Sequence, residues 1–259
     1  MSGPVRVLTQ TVQILVPDAP PMGGYLARPD TDAPPPGVVV GMELFGISAH
    51  VRDVCDRLAS LGYLALAPDL YHRSAPGTEL PEDQHGRTRG FELLNQLSRP
   101  QAIDDIRDAV DYLHARSSRI AGMVGLSVGG HVAYLAASEL DLPAVAVVYG
   151  GWITNADIPL SQPHPTITKT PGINGRVLFL VGEQDQLIPV EHRRQLAQAL
   201  TDAGVAHELV EYPGAGHGFL SNRRDSFAAS ATDDAWQRIQ QLLSPTTAAT
   251  DSDAGPLAR

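Results

Sequence analysis

The sequence predicts an α/β protein with a mostly parallel central sheet of about seven or eight strands and helices on both faces. Three observations predict it. Short runs at 37–41 (GVVVG), 63–68 (YLALAP) and 177–181 (VLFLV) are apolar throughout, as strands buried on both faces are. Segments of helical period lie between such runs, so strands and helices alternate. The 259 residues suit one large domain better than two small ones.

Each element follows in order. Residues 5–26 alternate and carry the turn residues Pro17, Pro20, Pro21, Gly23 and Gly24, the pattern of an antiparallel hairpin that starts a sheet. The Pro- and Asp-rich stretch 29–36 reads as a loop. A strand at 37–41 leads to a helix over 50–61, which Gly62 ends, and then to the strand at 63–68. Cys55, the only cysteine, falls at helical spacing with Leu58, so a buried helix residue is expected and an intramolecular disulfide is excluded.

Residues 71–101 interrupt the rhythm with polar and charged side chains. The segment is longer than most connections, so a lid or pocket wall is expected. Residues 102–115 then set Ile103, Ile106, Val110 and Leu113 on one helical face. A strand at 119–126, a helix at 128–138 and strands at 143–149 and 177–181 follow. A helix at 189–203, a strand at 207–212 and a helix at 226–243 complete a single domain over 1–243. The tail 244–259, rich in Ala, Thr, Asp and Pro, is expected to be disordered.

The net charge of −10 argues against nucleic acid and anionic membranes as partners. A recognisable signal peptide and a run of transmembrane length are both missing, so the cytoplasm is the expected location. A phosphate loop and a zinc-type cluster are missing too. No cofactor or metal is therefore expected, and the partner is a small molecule, with a monomer or homodimer as assembly.

The chemistry centres on Gly125-Leu126-Ser127-Val128-Gly129, which reads G-x-S-x-G. At this glycine and serine content the pattern arises by chance in about one such chain in eight, so the context has to carry it. The context is an apolar strand before and a helix after, a sharp turn that pushes Ser127 out of the top of a sheet. A serine hydroxyl is a poor nucleophile near neutral pH and needs a base held by a third group.

Parallel sheets gather function at the carboxyl ends of their strands. Asp185 stands after the strand at 177–181, and His217 stands in the glycine-rich loop after the strand at 207–212. Type, order and place all fit a Ser, Asp, His set. His50, His72, His85, His114, His131, His164, His192 and His207 lack this setting, although His72 and His85 belong to the candidate lid and could touch substrate. The backbone N–H of Val128 and that of Leu44, in the loop after the strand at 37–41, are the candidate oxyanion donors. Glu43 in that loop is either a base beside the nucleophile or a local cap.

Together these motifs resemble the dienelactone hydrolase family of α/β-hydrolases. The elbow with its second glycine, Met42-Glu43-Leu44-Phe45-Gly46, Pro68-Asp69-Leu70-Tyr71-His72-Arg73, Gly182-Glu183-Gln184-Asp185 and Ala215-Gly216-His217-Gly218-Phe219 carry the resemblance. It spans about residues 12–243 and implies an α/β-hydrolase fold and a carboxymethylenebutenolidase-type cleavage of an ester or lactone through an acyl-enzyme. By resemblance Ser127, Asp185 and His217 form the triad and Glu43 matches the family's glutamate near the nucleophile. Arg87 is the best match for an arginine that binds a substrate carboxylate, with Arg89 a weaker one.

Two departures matter. Ser127 stands where the best-known members carry cysteine, and a serine cannot be ionised as a thiol can, so His217 becomes the principal base. A second carboxylate-binding arginine is expected four residues after the histidine, where this chain has Ser221. Arg223 or Arg224 would replace it at a shifted register. The expected substrate-binding set is therefore Arg87, Phe45 and Arg223. Readings left open are a broad carboxylesterase on linear esters, a peptidase of the same fold and a non-catalytic binding protein.

Overall fold

The computed structural model describes residues 5–245; the expected tail therefore lies almost wholly outside the described residues. The fold is one eight-stranded sheet in the order β1-β2-β4-β3-β5-β6-β7-β8. β1 (Val7–Ile14) and β2 (Met22–Pro29) form the hairpin, and β2 joins β4 (Leu64–Pro68) antiparallel. β3 (Gly37–Gly41), β5 (Ile120–Leu126), β6 (Ala144–Val148), β7 (Arg176–Gly182) and β8 (His207–Tyr212) continue the sheet in parallel. Every residue of β3, β4, β5 and β6 is buried. That is why these strands read as unbroken apolar runs rather than alternating ones.

Helices cover both faces of the sheet. α1 (Ala49–Ser60) and α6 (Ala229–Leu243) meet on one face, where the Arg57 guanidinium lies 4.4 Å from the Trp236 ring. α3 (Arg99–His114) and α4 (Val128–Glu139) pack together against β3, with α3 reaching β4 and α4 reaching β5 and β6. α5 (Val190–Asp202) flanks β8. Cys55 is buried in α1 with its thiol free. No helix among the described residues is long and apolar enough to cross a membrane.

The sheet order explains where a site can form. From β3 the chain moves to β4 on one side, then crosses to β5 on the other. The loops after β3 and β5 diverge at that switch and leave a crevice at the carboxyl ends of the strands. Glu43 and Leu44 follow β3, and Ser127 follows β5.

The segment 71–101, expected as a lid or pocket wall, has regular structure of its own. It holds a helix, α2 (Gln84–Leu94), whose first turn is capped when the Asp83 carboxylate accepts the Gly86 N–H at 2.9 Å. α2 carries two interior glycines that weaken its sequence signal. Packing requires both: a Cβ on Gly86 would lie 1.8 Å from the Pro81 carbonyl oxygen, and one on Gly90 would lie 2.6 Å from Leu44 Cγ. α3 also starts earlier than its apolar period suggests, because Gln101 accepts the Ser98 N–H at 3.1 Å and fixes the first turn. α6 starts later, at Ala229, since residues 222–226 form turns.

Candidate active site

The elbow is built by close backbone packing. Ser127 has φ 53° and ψ −113°, an unfavourable conformation for a residue with a side chain. Its N–H donates to the Val148 carbonyl at 2.9 Å, and its own carbonyl accepts the His131 N–H at 3.1 Å. The turn is thus tied to β6 on one side and to α4 on the other. The flanking glycines are steric demands. A Cβ on Gly125 would lie 2.0 Å from the Gly129 oxygen, and one on Gly129 would lie 2.2 Å from the Gly41 oxygen.

The structure brings Ser127, His217 and Asp185 into one chain of hydrogen bonds. Ser127 Oγ is 2.9 Å from His217 Nε2, and His217 Nδ1 is 2.8 Å from Asp185 Oδ2. The carboxylate opposite Nδ1 can only accept, so the proton sits on Nδ1 and Nε2 is left to accept the serine hydroxyl. The Asp185 side chain is fully buried, and its other oxygen accepts the Leu187 N–H at 2.9 Å, which holds the carboxylate still. The Tyr149 ring packs at 5.1 Å against the His217 ring and at 5.5 Å against Phe219.

A second polar group lies beside the first. Glu43 is 1% exposed and receives both terminal nitrogens of Arg224, Nη1 to Oε1 at 3.0 Å and Nη2 to Oε2. Arg224 Nε donates to Glu82. The guanidinium lies against the histidine loop, since a Cβ on Gly218 would be 2.6 Å from Arg224 Nη1. Its carbon is 5.5 Å from the Phe45 ring centre. His50 Nε2 lies 3.4 Å from the Tyr149 hydroxyl, on the same cluster.

Electrostatics follow from these contacts. Burial pushes the Glu43 carboxyl up, but the Arg224 charge, the nearby His50 and the Arg224 hydrogen bonds outweigh it, and its pKa falls below the usual carboxylate value. Burial opposes the Arg224 charge, and Glu43 and Glu82 more than offset that, so the guanidinium is held charged. Burial lowers the His50 pKa and raises that of Tyr149 well above the ordinary phenol value. Glu43 is therefore a buried carboxylate engaged by Arg224.

Arg223 is not part of this cluster. It turns outward and grips Asp53, Nε to Oδ2 at 2.7 Å and Nη2 to Oδ1 at 3.1 Å, with half its side chain exposed. The reason is the turn after the histidine loop. Ser221 is fully buried there and the Arg224 N–H donates to its carbonyl at 3.2 Å, which points residue 224 inward and residue 223 out.

Arg87 lies on the exposed side of α2, and among the described residues no hydrogen bond or ion pair ties its side chain to the triad. Arg89 pairs with Glu92 at 2.7 Å on the same helix. His85 is exposed, whereas His72 is buried and spent on Pro20 and Asp105. Tyr149, His50 and Glu82 were not anticipated as site residues. Tyr149 had a signal, since it follows the last residue of β6 at the functional end of the sheet.

The candidate oxyanion donors sit where the fold exposes backbone N–H groups. Val128 is the first residue of α4, whose N-terminus carries partial positive charge. Leu44 is buried in the loop after β3, and its carbonyl accepts the Tyr71 hydroxyl at 3.1 Å. Among the described residues neither N–H donates to a backbone acceptor outside regular helix and strand bonding. No group of three or more His, Cys, Asp or Glu that could hold a metal occurs among the described residues.

Comparison with known proteins gives a consistent result. Residues 22–247 match the dienelactone hydrolase family model. A Synechocystis sp. protein named "Putative carboxymethylenebutenolidase" is 37% identical over 228 residues, which cover 86% of this chain and 91% of that protein. The carboxymethylenebutenolidase of Pseudomonas putida is 29% identical over 245 residues, covering 92% and 98%. The crystal structure of "Putative Dienelactone Hydrolase" from Klebsiella pneumoniae superposes with a TM-score of 0.83 at 29% identity, covering 92% of this chain and 98% of that one.

Proposed function

Because the chain belongs to the dienelactone hydrolase family of α/β-hydrolases, we propose that it cleaves an ester or lactone through nucleophilic attack by Ser127. The observation that carries this reading is the unbroken chain from Ser127 Oγ to His217 to Asp185, at 2.9 and 2.8 Å. His217 Nε2 takes the hydroxyl proton as the serine oxygen adds to the substrate carbonyl. Asp185 holds the imidazole in the correct tautomer and stabilises the imidazolium that forms. The N–H groups of Leu44 and Val128 hold the oxyanion of the tetrahedral intermediate.

Collapse of that intermediate breaks the carbonyl–oxygen bond, and the leaving alkoxide takes the proton from His217. Water, activated by the same histidine, then releases the acid and restores Ser127. Glu43 takes no proton in this scheme. Engaged by Arg224, it fixes the loop that carries Leu44.

The test is the Ser127→Ala variant against p-nitrophenyl esters and simple lactones. A loss of about a thousandfold or more in kcat/KM is expected, since the remaining groups bind but cannot form the acyl-enzyme. Full activity in the variant would overturn the reading.

A further inference from the structure

The Arg224 guanidinium packs beside the reacting groups: it presses on Gly218, the residue after His217, and faces Phe45, the residue after Leu44. It has five N–H donors and no acceptor. Glu43 takes one from each terminal nitrogen, and Glu82 takes the Nε–H. One cation thus meets two carboxylates, and the cluster carries a net charge of about −1. The side chains of Arg224 and Glu82 are 16% and 23% exposed, and Glu82 stands on an exposed stretch of loop, so water screens part of this charge. The neighbouring cations are also spent, Arg223 on Asp53 and Arg52 on Glu79.

We propose that Glu82, by capping the guanidinium already bound to Glu43, closes Arg224 to a substrate carboxylate and sets this site for uncharged esters and lactones. The proposal rests on the serine-hydrolase reading above. A substrate carboxylate at Arg224 would be the third anion on one guanidinium. Two of the guanidinium's N–H donors stay unused, one on each terminal nitrogen, so the substrate carboxylate would meet the repulsion of Glu82 and of the buried Glu43 rather than a lack of donors. An uncharged acyl group meets no such opposition and packs on Phe45. Glu82 is therefore a specificity-determining residue. It reaches the site from the loop before α2, a segment otherwise remote in sequence from the elbow.

The experiment compares p-nitrophenyl pentanoate with mono-p-nitrophenyl glutarate, two esters of the same reach that differ in a terminal carboxylate. The wild-type protein is expected to favour the uncharged ester by about tenfold in kcat/KM, as one unit charge at a partly exposed site allows. The Glu82→Gln variant keeps the shape and removes one charge, and the ratio of the two rates is expected to fall about fivefold. Raising the salt concentration should narrow the wild-type ratio in the same direction, which tests the charge without any substitution.

Preference of the wild type for the glutarate ester would overturn the proposal, and so would a Glu82→Gln ratio equal to the wild-type one at any absolute rate. The same assay on Ser127→Ala separates the two readings. Residual full hydrolysis there sinks the serine mechanism and this proposal with it, whereas Ser127-dependent turnover that favours the glutarate sinks this proposal alone.

Discussion

His217 and His72 each hydrogen-bond a buried aspartate, His217 through Nδ1 to Asp185 at 2.8 Å and His72 through Nε2 to Asp105 at 3.2 Å. By residue type the two pairs are alike, and their third partners separate them. The free nitrogen of His217 faces the Ser127 hydroxyl, and about a quarter of its side chain is open to solvent. The other nitrogen of His72 faces the Pro20 carbonyl at 2.9 Å, its side chain is fully buried, and Asp105 is shared with Arg73 at 2.6 Å. His72 has no nitrogen left for a reacting group. It braces the loop after β4 and the hairpin turn against α3. A His–Asp pair is thus a positioning device in both places, and what it positions decides whether it does chemistry or holds the fold.

The contrast yields predictions that fall in size. Asp185→Asn keeps the fold but unsettles the His217 tautomer, and kcat should drop by about a thousandfold or more with little change in melting temperature. Equal activity would place His217 with His72 as a brace. Asp105→Ala does the opposite. It leaves the buried His72 without its carboxylate and the half-buried Arg73 without its partner, so denaturant titration should show a loss of about 3 kcal/mol. The kcat/KM of the protein that remains folded should stay within about twofold of wild type, the range of a substitution without contact to the site.

A third histidine sharpens the comparison through pH. His131 in α4 donates from Nδ1 to the Gly151 carbonyl at 2.9 Å and accepts at Nε2 from the Thr166 hydroxyl at 2.8 Å. Burial, more than any other influence, lowers its pKa to about 4. Folding therefore favours neutral His131, and the unfolded chain binds the extra proton. Its contribution is fully present above pH 6.5 and lost as pH falls through 4, worth roughly 3 kcal/mol over that window. Unfolding curves from pH 7 to 4 should show the advantage of wild type over His131→Gln shrinking as pH falls. A pH-independent difference would mean the imidazole titrates alike in both states.

The smallest effect is expected at Arg223, and its neighbour Arg224 gives the contrast. Arg223 makes an exposed pair with Asp53, and Arg223→Ala should leave kcat/KM within about twofold, as removal of a solvated surface pair does. Arg224→Ala, by contrast, leaves the Glu43 charge buried without a partner and should both destabilise and impair the enzyme. Similar behaviour of the two variants would contradict the assignment of Arg224 to the site.

The parallel sheet and the meeting of Ser127, Asp185 and His217 were legible in the sequence for one physical reason. Strands buried on both faces announce themselves as apolar runs, and chemistry-bearing residues just after them converge at one end of the sheet. The Glu43 cluster was only half legible. Arg224 and Glu82 are 142 residues apart, so no local pattern links them. The choice between Arg223 and Arg224 depends on a single turn at Ser221, below the resolution of sequence pattern. α2 was hidden because Gly86 and Gly90, which a close-packed helix needs here, are the residues that weaken a helix signal. His72 misled in the same way, since a polar residue in a polar segment gives no sign that packing will seal it.

The most direct measurement is covalent labelling with a fluorophosphonate, followed by peptide mapping in a mass spectrometer. The account predicts one label per chain, on the peptide that holds Ser127, with labelling slowed strongly in His217→Ala. An unlabelled Ser127 in protein that still hydrolyses p-nitrophenyl esters, or a label at another residue, would contradict it.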